Sequence, residues 1–143
     1  TNTFSRLGGT GLQGPELDAL VAYLDGMPGP AAAEGAASSA EQQLAHRGQE
    51  LFFESRQGCA GCHIGGVGGD AGKHDVASGT KADLGKVFDT PSLRFIGASA
   101  PYFHDGRYPT LDALLSATDS GMGHTAHLDA RDRRALRAYL ETL

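Results

Sequence analysis

Cys59-Ala60-Gly61-Cys62-His63 contains both cysteines of the 143-residue chain. Two thiols separated by two residues, with an imidazole directly after them, admit few chemistries. A disulfide between them would close a very tight loop and stabilise the chain little. A thioredoxin-like redox pair belongs in a β–α–β setting, and no strand pattern flanks the motif. Zinc takes four ligands, and His124 with His127 could complete a Cys₂His₂ set only across far too long a gap. The spacing fits the C-x-x-C-H attachment signature of a c-type haem. Two thiols on one helical turn can reach the vinyl groups of one porphyrin edge. The next residue then aims its imidazole at the iron from the same side. Ala60 and Gly61 are small enough to let the backbone lie close to the ring. One haem c held covalently by Cys59 and Cys62, with His63 as axial ligand, is therefore expected.

Such a group would also explain the composition. Glycine supplies 21 of 143 residues, well above the usual ~7%, so much of the backbone should be irregular. A bound macrocycle can act as core where glycine-rich loops bury few side chains. The net charge of −5 speaks against nucleic acid, which a basic stripe would serve. No apolar run approaches the roughly 20 residues that a membrane span requires. The chain opens TNTFSRLGG, without the basic and apolar segments of a leader, and reads as a mature product or an excised piece. Because covalent haem attachment takes place outside the cytoplasm, a periplasmic or otherwise exported location is expected.

Hydrophobic periodicity predicts helices and no convincing strand. Leu17, Leu20, Val21 and Leu24 recur at i, i+3, i+4 and i+7 within residues 12–25, and Pro15 suits the first turn. Residues 26–40, rich in Ala, Gly, Pro and Ser, read as a linker. A second helix at about 40–56 carries Leu44, Gly48, Leu51 and Phe52 on one face. Residues 58–90 read as loop. Thr110 and Asp129 are placed to cap two further helices, the last with Leu136, Tyr139, Leu140 and Leu143 on one stripe. The predicted fold is all-α and cytochrome c-like, with long glycine-rich loops around one haem. Its expected central contact is the Gly48 face crossing the last helix at Leu136 and Tyr139.

Leu12–Leu24 aligns without gaps onto Leu128–Leu140, with identity at Leu12/Leu128, Ala19/Ala135, Leu20/Leu136, Ala22/Ala138, Tyr23/Tyr139 and Leu24/Leu140. Two unrelated leucine-rich helices could match this well. Alternatively, residues 1–27 are the tail of a preceding, related domain. The expected organisation is then 1–27 as that tail or an extension, 28–39 as linker, and 40–143 as a monohaem domain.

The iron's sixth position has several candidates. Met122, in SGMGHTAHL just before the last helix, is flanked by glycines that allow close approach to the ring. His124 and His127 are its rivals; His46, His74, His104 and Met27 are also present, Met27 in the linker. Pro91 lies in the loop expected on the proximal side. Arg94 offers a planar fork to a propionate carboxylate. His104-Asp105-Gly106 reads as a turn or a pair near the propionates. The outer nitrogen of His63 needs an acceptor, for which a backbone carbonyl is the usual solution.

Thr90-Pro91-Ser92-Leu93-Arg94, Ser99-Ala100-Pro101-Tyr102-Phe103-His104-Asp105-Gly106-Arg107 and Pro109-Thr110-Leu111 together resemble the bacterial dihaem cytochrome c peroxidase/MauG family. The likeness is to its carboxy-terminal domain and covers about residues 40–143. It implies an electron-transfer haem with His/Met ligation, carried here onto His63 and Met122. The family's peroxide-reacting haem lies in an amino-terminal half that this chain does not contain. Tyrosine replaces the methionine in the MauG branch, so Met122 points away from that branch. The family's calcium site takes carbonyls from the segment matching Ser99–Pro101 and an asparagine from the missing half, which counts against calcium here. The resemblance implies one-electron transfer with a redox partner protein or a preceding catalytic domain, within a larger peroxidase-like oxidoreductase. The alternative is a haem peroxidase whose sixth site is labile or open.

Overall fold

The computed structural model describes residues 11–29, 37–117 and 122–143. The chain divides into two compact units, Thr1–Ala32 and Ala33–Leu143. In the first, helix α1 (Pro15–Asp25) begins with proline in its first turn and buries none of its residues. Residues 30–36 of the expected linker lie outside the described residues.

The second unit is built on two helices. Ser38 starts α2 (Ser39–Phe53) with a reciprocal cap. Its hydroxyl accepts from the Glu41 N–H at 3.3 Å, and the Glu41 carboxylate accepts from the Ser38 N–H at 2.7 Å. This arrangement satisfies donors that the first turn leaves free. The helix ends three residues short of the sequence expectation, because Glu54 turns to extended backbone (ψ 131°). The last helix, α5 (Ala130–Leu140), is capped by Asp129, which accepts from the Arg131 and Asp132 N–H groups at 2.8 Å each.

α2 and α5 cross where the sequence predicts. Gly48, Leu51 and Phe52 of α2 are buried, as are Ala135, Leu136, Tyr139 and Leu140 of α5. The Phe52 and Tyr139 rings meet edge to face, 5.4 Å between centroids, a favoured geometry for aromatic quadrupoles. At the rim, Arg47 donates to both Asp132 oxygens, at 3.2 and 3.1 Å. Both side chains are partly exposed, so this pair orients the crossing more than it stabilises it. Helix α4 (Leu111–Ser116), capped by Thr110, adds buried Leu111 and Leu115 to the same core.

Between the main helices the chain is mostly loop, as the glycine content implies. Cys59–Cys62 form a single turn, α3. Two-residue strands β1 (Lys73–His74) and β2 (Phe88–Asp89) pair antiparallel, with Lys73 opposite Asp89 and His74 opposite Phe88. Tyr102 and Tyr108 form a further antiparallel bridge. These pairings refine the all-helical reading: they are too short to show alternation in sequence, yet they fasten the long loop to itself. Among the described residues, no helix is long and apolar enough to cross a membrane.

Candidate functional site

The motif turn is positioned by the end of α2. Gly58 takes φ +74° at its N-cap, a left-handed conformation that glycine adopts without strain. That turn folds the chain into Cys59–Cys62, and His63 closes it by donating its N–H to the Cys59 carbonyl at 3.0 Å. Both cysteines are free thiols and partly buried. Burial pushes the Cys59 thiol up to about 11. Redox-active cysteine pairs show the opposite shift, since they depend on a stabilised thiolate.

His63 is 8% exposed and packs beside Phe52, 6.4 Å between ring centroids. Burial lowers its pKa, while the carbonyls of Pro91 and Gly68, and more weakly the Asp70 charge, oppose that shift. The imidazole is thus biased towards its neutral form, which alone offers a lone pair to a metal. Its Nδ1 is buried with no partner at hydrogen-bonding geometry, and the Pro91 and Gly68 carbonyls lie close to the ring. An unpaired buried nitrogen beside waiting acceptors suits a ring whose other nitrogen ligates a metal.

A cavity lies on the other flank of the motif. Cys59, Phe103, Leu114, Leu115, Met122 and Gly123 are among its lining residues. Gly123 passes close to the motif: a Cβ there would stand 3.2 Å from the Gln57 carbonyl oxygen and 3.8 Å from Cys59 Sγ. The His124 N–H donates to the same carbonyl at 3.0 Å. The segment bearing Met122 is thereby tied to the turn bearing the thiols. Gly121, its other flanking glycine, lies outside the described residues.

The remaining candidates are dispersed. His124 and His127 are exposed, as Met122 is. His46 projects from α2 beside Glu50 at 3.6 Å. The His104 ring stacks on Phe88, centroids 3.9 Å apart, with Nε2 3.1 Å from Asp83 and Nδ1 3.4 Å from Ser78 Oγ. Asp105 instead binds Arg107 at 2.9 Å, which gives the His-Asp-Gly segment a structural task. Met27 is exposed in the first unit. Arg94 is exposed, its N–H donating to Ser92 Oγ at 3.1 Å.

One grouping escapes a sequence reading. Asp70 and His74 meet Cys62, their potential ligand atoms all within 4.8 Å of one another. Asp70 accepts from the Gly72 N–H at 2.9 Å and pairs with His74 Nε2 at 2.7 Å. Gly72 lets the pair close tightly: a Cβ there would stand 2.9 Å from His74 Nε2 and 3.1 Å from both Asp70 oxygens, so these side-chain ends would have to shift. The i, i+4 spacing of Asp70 and His74 was visible, but in a glycine loop it carries no helical meaning.

Paired thiols on one turn, a buried neutral imidazole and an apolar cavity facing a thioether fit a covalently attached haem. Residues 45–143 match the cytochrome c family, and the chain belongs to that family. A cytochrome c domain implies haem c. Its relatives place it close to MauG and the dihaem peroxidases. Hydrazine synthase subunit gamma of Kuenenia stuttgartiensis is 29% identical over 89% of this chain and 48% of its own length. Methylamine utilization protein MauG of Methylorubrum extorquens is 34% identical over 69% of this chain and 34% of its own. A solved hydrazine synthase structure from Kuenenia stuttgartiensis superposes with a TM-score of 0.62, at 29% identity, over 78% of this chain and 48% of the other. The chain thus spans about half or less of the length of these relatives.

Proposed function

We propose that this chain is an electron-transfer cytochrome c module. Cys59 and Cys62 hold one haem, His63 and Met122 ligate its iron, and electrons pass to or from a partner redox centre. Bound haem supplies a one-electron couple, and a thioether ligand raises its potential relative to bis-histidine ligation. His63 provides the proximal nitrogen, and the Pro91 and Gly68 carbonyls favour the proton on its outer one. Met122 would supply a thioether sulfur as the second ligand, which would keep small ligands from the iron. Arg94 is assigned to a propionate.

The single observation that carries this reading is the cavity shared by Cys59 and Met122. It brings the Met122 thioether against the thiol turn; Met122, His124 and His127 are all exposed, and of the three only Met122 lines that cavity. A preceding, related domain is part of the proposal. The repeat supports it: Leu20, Tyr23 and Leu24 are exposed in α1, whereas their counterparts Leu136, Tyr139 and Leu140 are buried in α5. A periplasmic or exported site follows from the attachment chemistry. Optical spectroscopy of the ferric protein tests the ligand set. Low-spin absorption with the weak red band of iron–thioether coordination supports it; a high-spin spectrum would favour the peroxidase alternative. A colourless protein would refute both.

A further inference from the structure

The Asp70–His74 pair does more than close a turn. Asp70 lies in the segment that follows His63, and that segment is bound at several points to the Thr90–Leu93 segment. The Leu93 N–H donates to the Val67 carbonyl at 2.9 Å, the Thr90 N–H to the Gly72 carbonyl at 3.4 Å, and Ser92 Oγ to the Val67 carbonyl at 3.0 Å. β1 and β2 extend the same seam. These two segments carry the two carbonyls, Gly68 and Pro91, that lie beside the His63 ring. Gly69 permits their closeness, for a Cβ on it would stand 2.4 Å from the Thr90 carbonyl oxygen.

Asp70 sits inside this seam. Its carboxylate accepts from Gly72 and His74 and lies within 4.8 Å of Cys62 Sγ, on the residue directly before His63. Lys73, the nearest cation in sequence, lies instead against Asp89 at 3.9 Å. Asp70 therefore holds a negative charge beside His63, and among the described residues no lysine or arginine pairs with it.

We propose that Asp70 is a positioning residue that lowers the reduction potential of the haem, its charge modulated by the hydrogen bond from His74. The inference rests on the reading of His63 as an axial ligand. A fixed anion near the metal favours the oxidised state, which carries one more positive charge, and a short separation in a partly dry site strengthens the effect. The seam adds a second contribution, because carbonyls held beside the ligating ring increase its electron donation. Removing the charge should raise the potential. Removing the His74 donor should lower it, because the carboxylate is then left barer. A clasp that only stabilised the loop would give shifts of the same sign for both changes, or none.

The experiment is a spectroelectrochemical titration of the haem-loaded protein, its Asp70→Asn variant and its His74→Ala variant. The expected result is an upward shift of the midpoint potential for D70N and a downward shift for H74A, with the low-spin spectrum intact in each. An unchanged or lowered potential in D70N overturns the proposal. Should D70N fail to take up haem, H74A decides: a downward shift upholds the assignment, and no shift or an upward one overturns it. A wild-type protein that binds no haem would instead refute the functional reading beneath it, so the two failures are distinct.

Discussion

Gly48 of α2 lies so close to Ala135 of α5 that a Cβ built on it would stand 1.9 Å from the Ala135 carbonyl oxygen. The same atom would meet the Ala135 carbonyl carbon at 2.5 Å and Tyr139 Cβ at 2.8 Å. The obstruction is backbone, which cannot rotate away as a side chain does. Gly48→Ala gains about 1 kcal/mol of helix propensity but forces the crossing apart, and overpacking typically costs about 1–3 kcal/mol. This contact belongs at the upper end, so the variant should be destabilised by about 2 kcal/mol net. Denaturant unfolding of the haem-loaded protein measures it, and an unchanged midpoint would show that the helices separate freely.

That crossing was legible before the fold because several signals agree on it: two apolar stripes of helical period, a glycine within one stripe, and Asp129 at the cap of the other. The cysteine motif was equally plain, since its spacing names its chemistry. The loop between them was opaque for a physical reason. β1 and β2 have two residues each, below the length at which alternation appears. The role of Asp70 depends on Thr90 arriving from twenty positions away, and no local pattern encodes that approach. The end of α2 was overrun because Glu54, Ser55 and Arg56 carry no stop signal; the extended backbone at Glu54 prepares the turn at Gly58.

Asp70 should also govern part of the acid stability. Hydrogen bonds from the Gly72 N–H and then from His74 hold its carboxylate at about 2, against an ordinary value of 3.8. A depressed carboxylate favours the folded state wherever it is ionised there. The contribution is thus complete above the ordinary value and disappears as pH falls through about 2. Asp70→Asn should unfold more easily than the wild type at neutral pH, and the difference should shrink across that acidic window. Urea titrations at a series of pH values check this, and a difference independent of pH would contradict it.

Gly66 is constrained twice. It takes φ +85°, and a Cβ on it would lie 2.6 Å from the Tyr139 hydroxyl oxygen. Gly66→Ala should therefore cost the left-handed strain, about 1–2 kcal/mol, together with the clash. Tyr139→Phe removes the obstructing oxygen and leaves the strain. The double variant should be more stable than the sum of the single effects allows, with a coupling of about 1 kcal/mol in a double-mutant cycle. Strict additivity would mean that the hydroxyl moves aside at no cost.

Met122 offers the decisive test of the distal position. It lines a cavity with Cys59 that neither His124 nor His127 lines, although all three side chains are exposed. If its sulfur ligates the iron, Met122→Ala should abolish the thioether band, shift the ferric spectrum towards high spin and lower the reduction potential, because the ligand that favours the reduced state is gone. His124→Ala and His127→Ala should leave band and potential unchanged. His124 gives a sharp control, since its contact with the motif runs through its backbone N–H to the Gln57 carbonyl, a bond that survives truncation of the side chain. Loss of the band in either histidine variant, with Met122→Ala silent, would move the ligand to that histidine and make the site a low-potential one.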